Sequence, residues 1–442
     1  MAHACIHRSS LTLIGSAIAT ALVTTLLPMA PAQGEFEESP KVVLDEAWQI
    51  VNREYVDDTF NQVDWDAARQ RLLGQEYSSR DAAYRALERE LRRLNDPYTR
   101  FLDPQQYSEL TDQTAGEISG VGLQLHRDSQ TREIIVTEVI ADSPAFHSGV
   151  RAGDRIVLVD GQSTARLSVT GVSNLLRGAE NSQVTLTFAR GEGQSRTVIL
   201  TRALIDIPTV NFAVRETSNH RIGYIRLSEF NAHATEEMTV AINTLTADGV
   251  DAFVLDLRGN PGGLLYASIE ISRLWLRRGP IVLTQDRTGE SEQISANRTS
   301  ITELPLAVLV NNRSASSSEI VTGALQDNGR AVVVGTTTYG KALVQSLYGL
   351  TDGSGLAVTI AHYYTPDGTD ISERGITPDV NVPISSRDRQ TLNNDPRLLA
   401  TTSDIQWLQA ISALEPIIIA QQNEVNTPPS QLGLSPEEAN LN

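Results

Sequence analysis

Four serines stand close together in the segment 310–321, which reads VNNRSASSSEIV. A run of apolar residues ends at Val310 and a helical pattern begins near Ser316, so the segment predicts a strand-to-helix turn. A serine at such a turn can present its hydroxyl to the space that the first N–H groups of the helix also face. Taken alone, the segment favours a simpler role, in which the serines cap the helix and solvate its start.

A lysine and a glycine-rich loop offer the other groups that a serine nucleophile needs. The segment TTTYGK at 336–341 ends in Lys341, and Gln345 follows four residues later. A lysine amine acts as a general base only if desolvation lowers its pKa from about 10.4 toward neutrality. The segment DLRGNPGG at 256–263 could turn backbone N–H groups toward a developing oxyanion. The alternatives are a surface lysine and an ordinary glycine-rich turn.

These three loops follow apolar runs in a region where short apolar runs and helical patterns alternate. The apolar runs cover 222–227, 252–257, 307–310 and 331–334, and the helical patterns between them cover 234–246, 264–276 and 316–326. This alternation predicts an α/β core of βα units, with the functional loops at the ends of its strands.

Two regions with different periodicity precede this core. From Pro40 to about Leu94 the apolar residues recur at helical spacing, which predicts a small helical domain. From Gly116 to about Ala203 the period is two and glycine-containing turns separate short runs, an order that resembles a PDZ domain. Its expected peptide-carboxylate loop is Gly120-Val121-Gly122-Leu123. The alternative for these glycines is an ordinary tight turn.

The predicted division of the multidomain chain is therefore a signal peptide at 1–32, a helical domain at 33–112, a PDZ domain at 113–204, an α/β core at 205–385, and a C-terminal helix with a loose tail at 386–442. The signal peptide rests on the uncharged apolar run 11–27 after Arg8 and on Ala30 and Ala32 at the spacing of a cleavage site. A retained anchor is the alternative. The prediction is an exported protein with no stable membrane insertion after cleavage.

Composition excludes several classes of function. The 442 residues include 36 basic and 54 acidic ones, a net charge of −18 that argues against a nucleic-acid partner or an anionic membrane surface. Cys5 is the only cysteine, so disulfides and thiol chemistry are not expected once the signal is removed. The histidines lack the H-E-x-x-H spacing and no G-x-S-x-G motif occurs, which disfavours zinc proteases and Ser-His-Asp enzymes. No metal or cofactor is predicted, and the oligomeric state stays open.

Six motifs occur in one order along the chain: NDPYT at 95–99, DLR with two glycines at 256–263, SASSSE at 314–319, ALQD at 324–327, YGK at 339–341 and GITPD at 375–379. With them the chain resembles the carboxyl-terminal processing peptidases from about Val42 to Pro383. These are serine endopeptidases with a Ser–Lys dyad and a PDZ domain. The resemblance is strongest to the cyanobacterial and chloroplast members, which remove the C-terminal extension of a photosystem II reaction-centre protein. It implies protein substrates with accessible apolar C-termini, and a thylakoid lumen or periplasm.

The resemblance also implies a role for individual residues. It makes Ser316 the nucleophile and Lys341, 25 residues later, the general base, with Gln345 orienting the amine. It assigns the oxyanion hole to the backbone N–H groups of Gly262 and Ser317. In the family's pattern Glu319 and Asp327 belong to the polar surroundings of these groups.

Some residues depart from the family pattern, and two other functions stay open. Arg313 stands where many relatives have glycine, Ser317 where they usually have alanine, and Ala342 where glycine is frequent. Of these, Arg313 places charge beside the nucleophile turn and could alter substrate choice. One alternative function is general quality control by a tail-specific protease of the envelope or lumen. The other is a catalytically inactive PDZ protein that binds C-terminal tails.

Overall fold

The computed structural model describes residues 39–128, 130–191, 193 and 195–426. The predicted signal peptide and the tail from Thr427 lie outside this part of the chain. Within it, no helix is both long enough and apolar enough to cross a membrane.

The N-terminal region is mostly helical. Its elements are α1 (Pro40–Glu54), α2 (Trp65–Leu73), α3 (Arg80–Arg93), the short strand β1 (Arg100–Leu102) and α4 (Pro104–Ala115). Asp64 and Ser79 each accept a hydrogen bond from a first-turn N–H group, which fixes the starts of α2 and α3. Asp103 and Gln106 form a reciprocal cap at the start of α4, although none of the residues of this helix is buried. Because α4 has no buried face, an analysis of apolar periodicity in the sequence does not predict this helix.

The second region is an antiparallel sheet with two short helices. Its elements are β2 (Glu117–Gly120), β3 (Leu123–Arg127), β4 (Ile134–Val139), α5 (Pro144–His147), β5 (Arg155–Val159), β6 (Gln162–Ser163), α6 (Val169–Leu176), β7 (Gln183–Ala189), β8 (Ser195–Thr201) and β9 (Ala203–Asp206). Strands β3, β4, β5, β7 and β8 follow one another across the sheet. The entering strand β2 pairs with the leaving strand β9, so the chain enters and leaves this region at one place.

The remaining elements form the core. They are β10 (Val210–Glu216), β11 (Arg221–Leu227), α7 (Ala234–Ala247), β12 (Ala252–Asp256), α8 (Leu265–Trp275), β13 (Pro280–Asp286), β14 (Ser291–Ser295), β15 (Leu306–Val310), α9 (Ser317–Asp327), β16 (Val332–Gly335), β17 (Leu343–Gly349), β18 (Gly355–Tyr364), β19 (Val380–Asn381), α10 (Ser386–Asn394) and α11 (Ile405–Asn426). The main sheet has the order β10-β11-β12-β15-β16-β19 and is parallel except for the edge strand β10.

Both faces of the main sheet are covered, which explains why its strands are apolar without alternation. Phe253 and Leu255 of β12 lie in the same cluster as the apolar residues of α7, α8 and α9. Ala252 and Val254 lie instead in the cluster that contains Trp407 of α11. The C-terminal helix is therefore one of the two layers on the core sheet.

A second sheet joins the N-terminal helices to the core. It contains β1, β18, β13 and β14, with β17 also paired to β18. Leu356 and Val358 of β18 belong to the apolar cluster of α1, α2 and α3. The apolar stripes of the N-terminal helices thus find their partner surface on this sheet, which the alternation of βα units does not predict.

A buried ion cluster fastens α11 to the end of β12. The Arg258 guanidinium donates to both oxygens of Asp256 at 2.9 and 2.6 Å and to both oxygens of Asp404 at 2.9 and 2.8 Å. All three residues are buried. The two carboxylates hold the pKa of Arg258 well above its usual value, against the effect of burial. The guanidinium therefore remains charged, and its charge is compensated from two distant parts of the chain.

We expect Asp404→Asn to destabilise the protein by about 3 kcal/mol, because it removes one of the two charges that compensate a buried guanidinium. The free energy of unfolding in urea measures this change. Asp395→Asn is the matched control, since Asp395 pairs with Arg397, whose side chain is 89% exposed, and it should leave the midpoint unchanged. Equal midpoints for the two variants would contradict the role given to the buried cluster.

Candidate active site

Ser316 lies at the junction between β15 and α9 in an unusual backbone conformation. Its φ and ψ are 54° and −116°, although it is not a glycine. Such a conformation costs about 1–3 kcal/mol and persists only where the surrounding structure holds it. A sharp, strained strand-to-helix turn of this kind is how other folds expose a nucleophilic serine. The geometry therefore suits Ser316 for the predicted role.

Three neighbouring serines hold this turn against the glycine-rich loop. The hydroxyl of Ser314 donates to the carbonyl of Leu257 at 2.8 Å, and that of Ser318 donates to the carbonyl of Asn260 at 3.0 Å. The hydroxyl of Ser317 donates to the carbonyl of Gly263 at 3.0 Å. The crowding of serines thus serves to join two loops, a role that helix capping alone does not include.

Gly262 lies directly against the nucleophile turn. Its φ is +105°, and a Cβ at this position would lie 2.9 Å from Ser316 Cβ and 2.8 Å from the Ala315 carbonyl oxygen. Only glycine fits there. Its N–H group, predicted for the oxyanion hole, donates to Asn260 Oδ1 at 2.9 Å. The Ser317 N–H makes no hydrogen bond within the described residues.

The buried carboxylate of Glu319 connects the serine turn to the lysine loop. One oxygen accepts hydrogen bonds from Thr338 Oγ1 and the Gly340 N–H, both at 2.6 Å. The other accepts from the N–H groups of Ser316 and Lys341, both at 2.9 Å. Burial raises the pKa of Glu319, and these four hydrogen bonds oppose the rise. One side chain, 1% exposed, therefore fixes the backbone of both predicted dyad residues.

Lys341 is partly buried, and its amine is directed to Gln345. Nζ donates to Gln345 Oε1 at 2.8 Å and lies 4.5 Å from the centroid of the Tyr98 ring. Burial lowers the pKa of Lys341, and the positive charge of Arg100 lowers it further. Between residues 39 and 426, no hydrogen bond joins this amine to Ser316 Oγ.

Gln345 is fixed in turn by the NDPYT segment. Its Nε2 donates to the Tyr98 carbonyl oxygen at 2.6 Å. The carboxylate of Asp96 accepts hydrogen bonds from the Tyr98 N–H at 2.8 Å and from the hydroxyls of Thr99 and Thr359, both at 2.7 Å. The N-terminal region thus contacts the site directly at Gln345 of β17, and Thr359 attaches it to β18.

Tyr363, Asn260 and Tyr98 are among the residues that contribute to the site without having been assigned a role from the sequence. Tyr363 donates its hydroxyl to the carbonyl oxygens of Ser316 and Lys341. Asn260 accepts the hydrogen bond of the Gly262 N–H, and the carbonyl of Tyr98 accepts that of the Gln345 amide. Asn260 and Tyr98 lie inside quoted motifs, which is a signal that sequence reasoning could have used. Tyr363 stands in an apolar strand with no motif around it, so its role has no signal in a single sequence.

Asp327 is not part of this constellation. It is the last residue of α9, about 15 Å along the helix axis from Ser317. Its carboxylate accepts a hydrogen bond from the Asp367 N–H at 3.1 Å. Asp327 therefore lies at the opposite end of α9 from Ser316, and a supporting polar role for it stays a prediction.

The predicted peptide-carboxylate loop lines a small groove between β2, β3 and α6. Residues 120–123 form one side. The rest is lined by apolar residues and by Ser173 and Arg177; the apolar residues are Ile118, Ile140, Leu176, Ile205 and Ile207. At Gly122, φ is +80° and a Cβ would lie 2.2 Å from Ser143 Cβ, so this position requires glycine. An apolar groove with a cation beside it suits an apolar peptide that ends in a carboxylate.

One group of side chains in the described part of the chain has the spacing of a metal site. Ligand atoms of Glu117, Asp206 and His233 lie within 4.8 Å of one another. Glu117 and Asp206 are direct partners in the β2–β9 pair, and His233 precedes α7. The group shares no residue with the site around Ser316.

Comparison with known proteins agrees with this geometry. The sequence matches the model of peptidase family S41 over residues 221–382 and that of the PDZ domain over residues 135–190. A carboxyl-terminal-processing protease of Picosynechococcus sp. is 44% identical over 363 residues, which cover 82% of this chain and 87% of that protein. A chloroplastic carboxyl-terminal-processing peptidase 2 of Arabidopsis thaliana is 39% identical, with 82% and 72% covered.

A solved structure extends the similarity to the fold. The photosystem II D1 C-terminal processing protease is 37% identical and has a TM-score of 0.53, over 83% of this chain and 98% of that one. These comparisons confirm the family resemblance and the predicted fold class of a PDZ domain with an α/β protease core. The chain belongs to the carboxyl-terminal-processing proteases of peptidase family S41, which are serine peptidases.

Proposed function

We propose that this chain is a Ser–Lys endopeptidase that binds free protein C-termini in its PDZ groove and removes C-terminal extensions. The observation that carries the proposal is the Glu319 carboxylate, which binds the backbone N–H groups of Ser316 and Lys341 at 2.9 Å each. One buried carboxylate that fixes the backbone of both residues would hold their side chains in position to react with each other.

In the proposed mechanism, neutral Lys341 removes the proton of Ser316 as Oγ attacks the scissile carbonyl carbon. The N–H groups of Ser317 and Gly262 stabilise the oxyanion of the tetrahedral intermediate. Lys341 then gives its proton to the leaving amine, and an acyl-enzyme remains. The same lysine takes a proton from water as the water attacks the ester, and gives this proton to Ser316 Oγ as the second product leaves. No cofactor takes part in these steps.

One group must change partners before this reaction can begin. The amine of Lys341 can keep its hydrogen bond to Gln345 Oε1 at 2.8 Å, because a neutral amine still has a lone pair that accepts the proton of Ser316. The N–H of Gly262 has to leave Asn260 Oδ1 at 2.9 Å and turn toward the oxyanion. This contact supports a resting arrangement that substrate binding converts into the reactive one.

We further propose that the natural substrate is a photosystem II reaction-centre precursor and that the enzyme is exported to the thylakoid lumen or periplasm. Support comes from the predicted signal peptide and from the similarity to the D1 processing protease. General quality control by a tail-specific protease is the alternative. A deletion strain separates the two, because only dedicated processing makes the unprocessed reaction-centre protein accumulate.

We expect Lys341→Ala to lower kcat by about 10²–10⁴-fold through loss of the general base, and Ser316→Ala to abolish turnover. The assay is cleavage of a peptide with an apolar, free C-terminus by the chain that begins at Gln33. Asp327→Asn serves as the control and should keep the wild-type rate, because Asp327 lies at the far end of α9.

Substantial turnover by Lys341→Ala would rule out the dyad. If the wild type does not cleave the peptide but binds it tightly, the inactive tail-binding alternative is favoured. Circular dichroism of each variant checks that the fold is intact.

The pH profile of the reaction should report the pKa of Lys341. Activity requires the neutral amine, so kcat/KM should rise with pH along a limb whose pKa lies below 10.5. The Arg100 cation disfavours the lysine ammonium, so Arg100→Gln should raise the lysine pKa and move the limb to higher pH. Arg166→Gln, which removes an exposed positive charge from the PDZ region, should leave the limb in place. A limb that does not move in Arg100→Gln would contradict the assignment.

Amidation of the substrate's C-terminus should lower kcat/KM by about 10- to 100-fold, the expected loss for hydrogen bonds to one charged group. The matched comparison is a peptide with a free carboxylate and an Ala substitution far upstream of the cleavage site, which should be cleaved at nearly the original rate. Equal cleavage of the acid and the amide would show that the PDZ groove does not read the terminal carboxylate.

A further inference from the structure

A cleft of about 630 Å³ lies between the PDZ region and the core, next to the nucleophile turn. Its walls come from β3 and β4, from the edge strand β10, from the loops after β12 and β15, and from the segment that connects the core to α11. Six arginines line it: Arg215, Arg226, Arg258, Arg313, Arg389 and Arg397. The mechanism proposed above uses none of them.

Half of these arginines are already compensated by carboxylates. Arg258 is bound by Asp256 and Asp404, and Arg226 lies 3.8 Å from Asp256, so these four residues balance one another. Arg397 pairs with Asp395 at 2.7 Å. These pairs contribute no net charge to the cleft.

The other three arginines have no acidic partner. No ion pair within 4.0 Å involves Arg215, Arg313 or Arg389 in the part of the chain that the structure describes. Nε of Arg215 is buried and makes no hydrogen bond there, although the guanidinium lies 5.9 Å from the centroid of the Tyr224 ring. Among the described residues that line the cleft, Glu138 is the only acidic one. The lining is therefore positive in a chain whose net charge is −18.

The position of the cleft indicates what it could receive. Arg313 lies three residues before Ser316, and Gly259, another lining residue, lies three residues before Gly262. The cleft thus opens beside both loops of the candidate site and extends to Gln124 and Glu138 of the PDZ region. Arg313 and Gly259 therefore connect the cleft to the two loops that contain Ser316 and Gly262.

We propose that this cleft binds a stretch of the polypeptide substrate that carries acidic side chains, and that Arg215, Arg313 and Arg389 select for it. Guanidinium groups bind carboxylates through two parallel N–H···O bonds, and within the described residues none of these three arginines has such a partner. Phe212 and Leu392 add apolar surface to the walls, and β10 offers a free sheet edge for an extended chain. This mixture fits a peptide better than a small inorganic anion. The inference rests on the proposed peptidase function and specifies its substrates.

The test compares two peptides that share the same apolar free C-terminus and differ in one triplet, Glu-Glu-Glu or Gln-Gln-Gln. The triplet is placed in turn on each side of the cleavage site. At low salt the wild type should cleave the Glu peptide with a kcat/KM about 10-fold higher in one of the two placements, and added salt should reduce this ratio. In the triple variant Arg215→Gln/Arg313→Gln/Arg389→Gln the ratio should fall to about 1.

The control is the triple variant Arg85→Gln/Arg89→Gln/Arg166→Gln, which removes the same charge from exposed arginines outside the cleft. It should keep the wild-type ratio. If the wild type shows no preference in either placement, or if the cleft variant keeps the preference, the proposal is overturned.

Binding of fluorescently labelled peptides to Ser316→Ala, measured by anisotropy, separates this inference from the proposed function. If neither peptide is cleaved by the wild type but the Glu peptide still binds about 10-fold more tightly, the peptidase proposal fails and the acidic-peptide site remains. If cleavage occurs and the two peptides bind equally, the peptidase remains and the site is rejected.

Discussion

The buried carboxylate of Glu319 is the interaction on which the geometry of the site depends. It has four hydrogen-bond donors, and they come from the serine turn and from the lysine loop. Four hydrogen bonds offset the cost of burying this carboxylate. The strained φ of 54° at Ser316 is held in the same way, because Glu319 accepts the N–H group of that residue. The hydrogen bonds of one carboxylate thus compensate its own burial and also hold the strained backbone of Ser316.

The N-terminal region completes the site from outside the core. Asp96 fixes Tyr98 and Thr99 and also binds Thr359 on β18, so the NDPYT segment is attached to the second sheet. The Tyr98 carbonyl oxygen accepts a hydrogen bond from Gln345 Nε2, and Gln345 Oε1 accepts one from the Lys341 amine. The position of the lysine amine therefore depends on residues more than 200 positions earlier in the sequence. A core without the N-terminal helices would lack this support.

The sequence predicted the main sheet well, because strands covered on both faces are continuous apolar runs and the helices between them are amphipathic. Helix α9, expected at 316–326, is found at Ser317–Asp327. The second sheet was missed because β17 is half-buried along nearly its whole length and shows no period. Motifs single out Ser316, Lys341 and Gln345, but a motif does not tell which end of a helix faces the site, and Asp327 lies at the end of α9 away from Ser316. The bond between the Gly262 N–H and Asn260 depends on backbone rotation, which no residue pattern records.

The attachment of α11 has a consequence for when the glycine-rich loop reaches its final environment. Arg258 begins the turn that leads to Gly262, and half of its charge compensation comes from Asp404. The face of the main sheet that Trp407 and Leu414 cover is also exposed to solvent until α11 has packed against it. During synthesis from the N-terminus, Asp404 is made 146 residues after Arg258, so the glycine-rich loop reaches its final environment late. A chain cut before Asp404 would keep this guanidinium with half of its charge compensation missing.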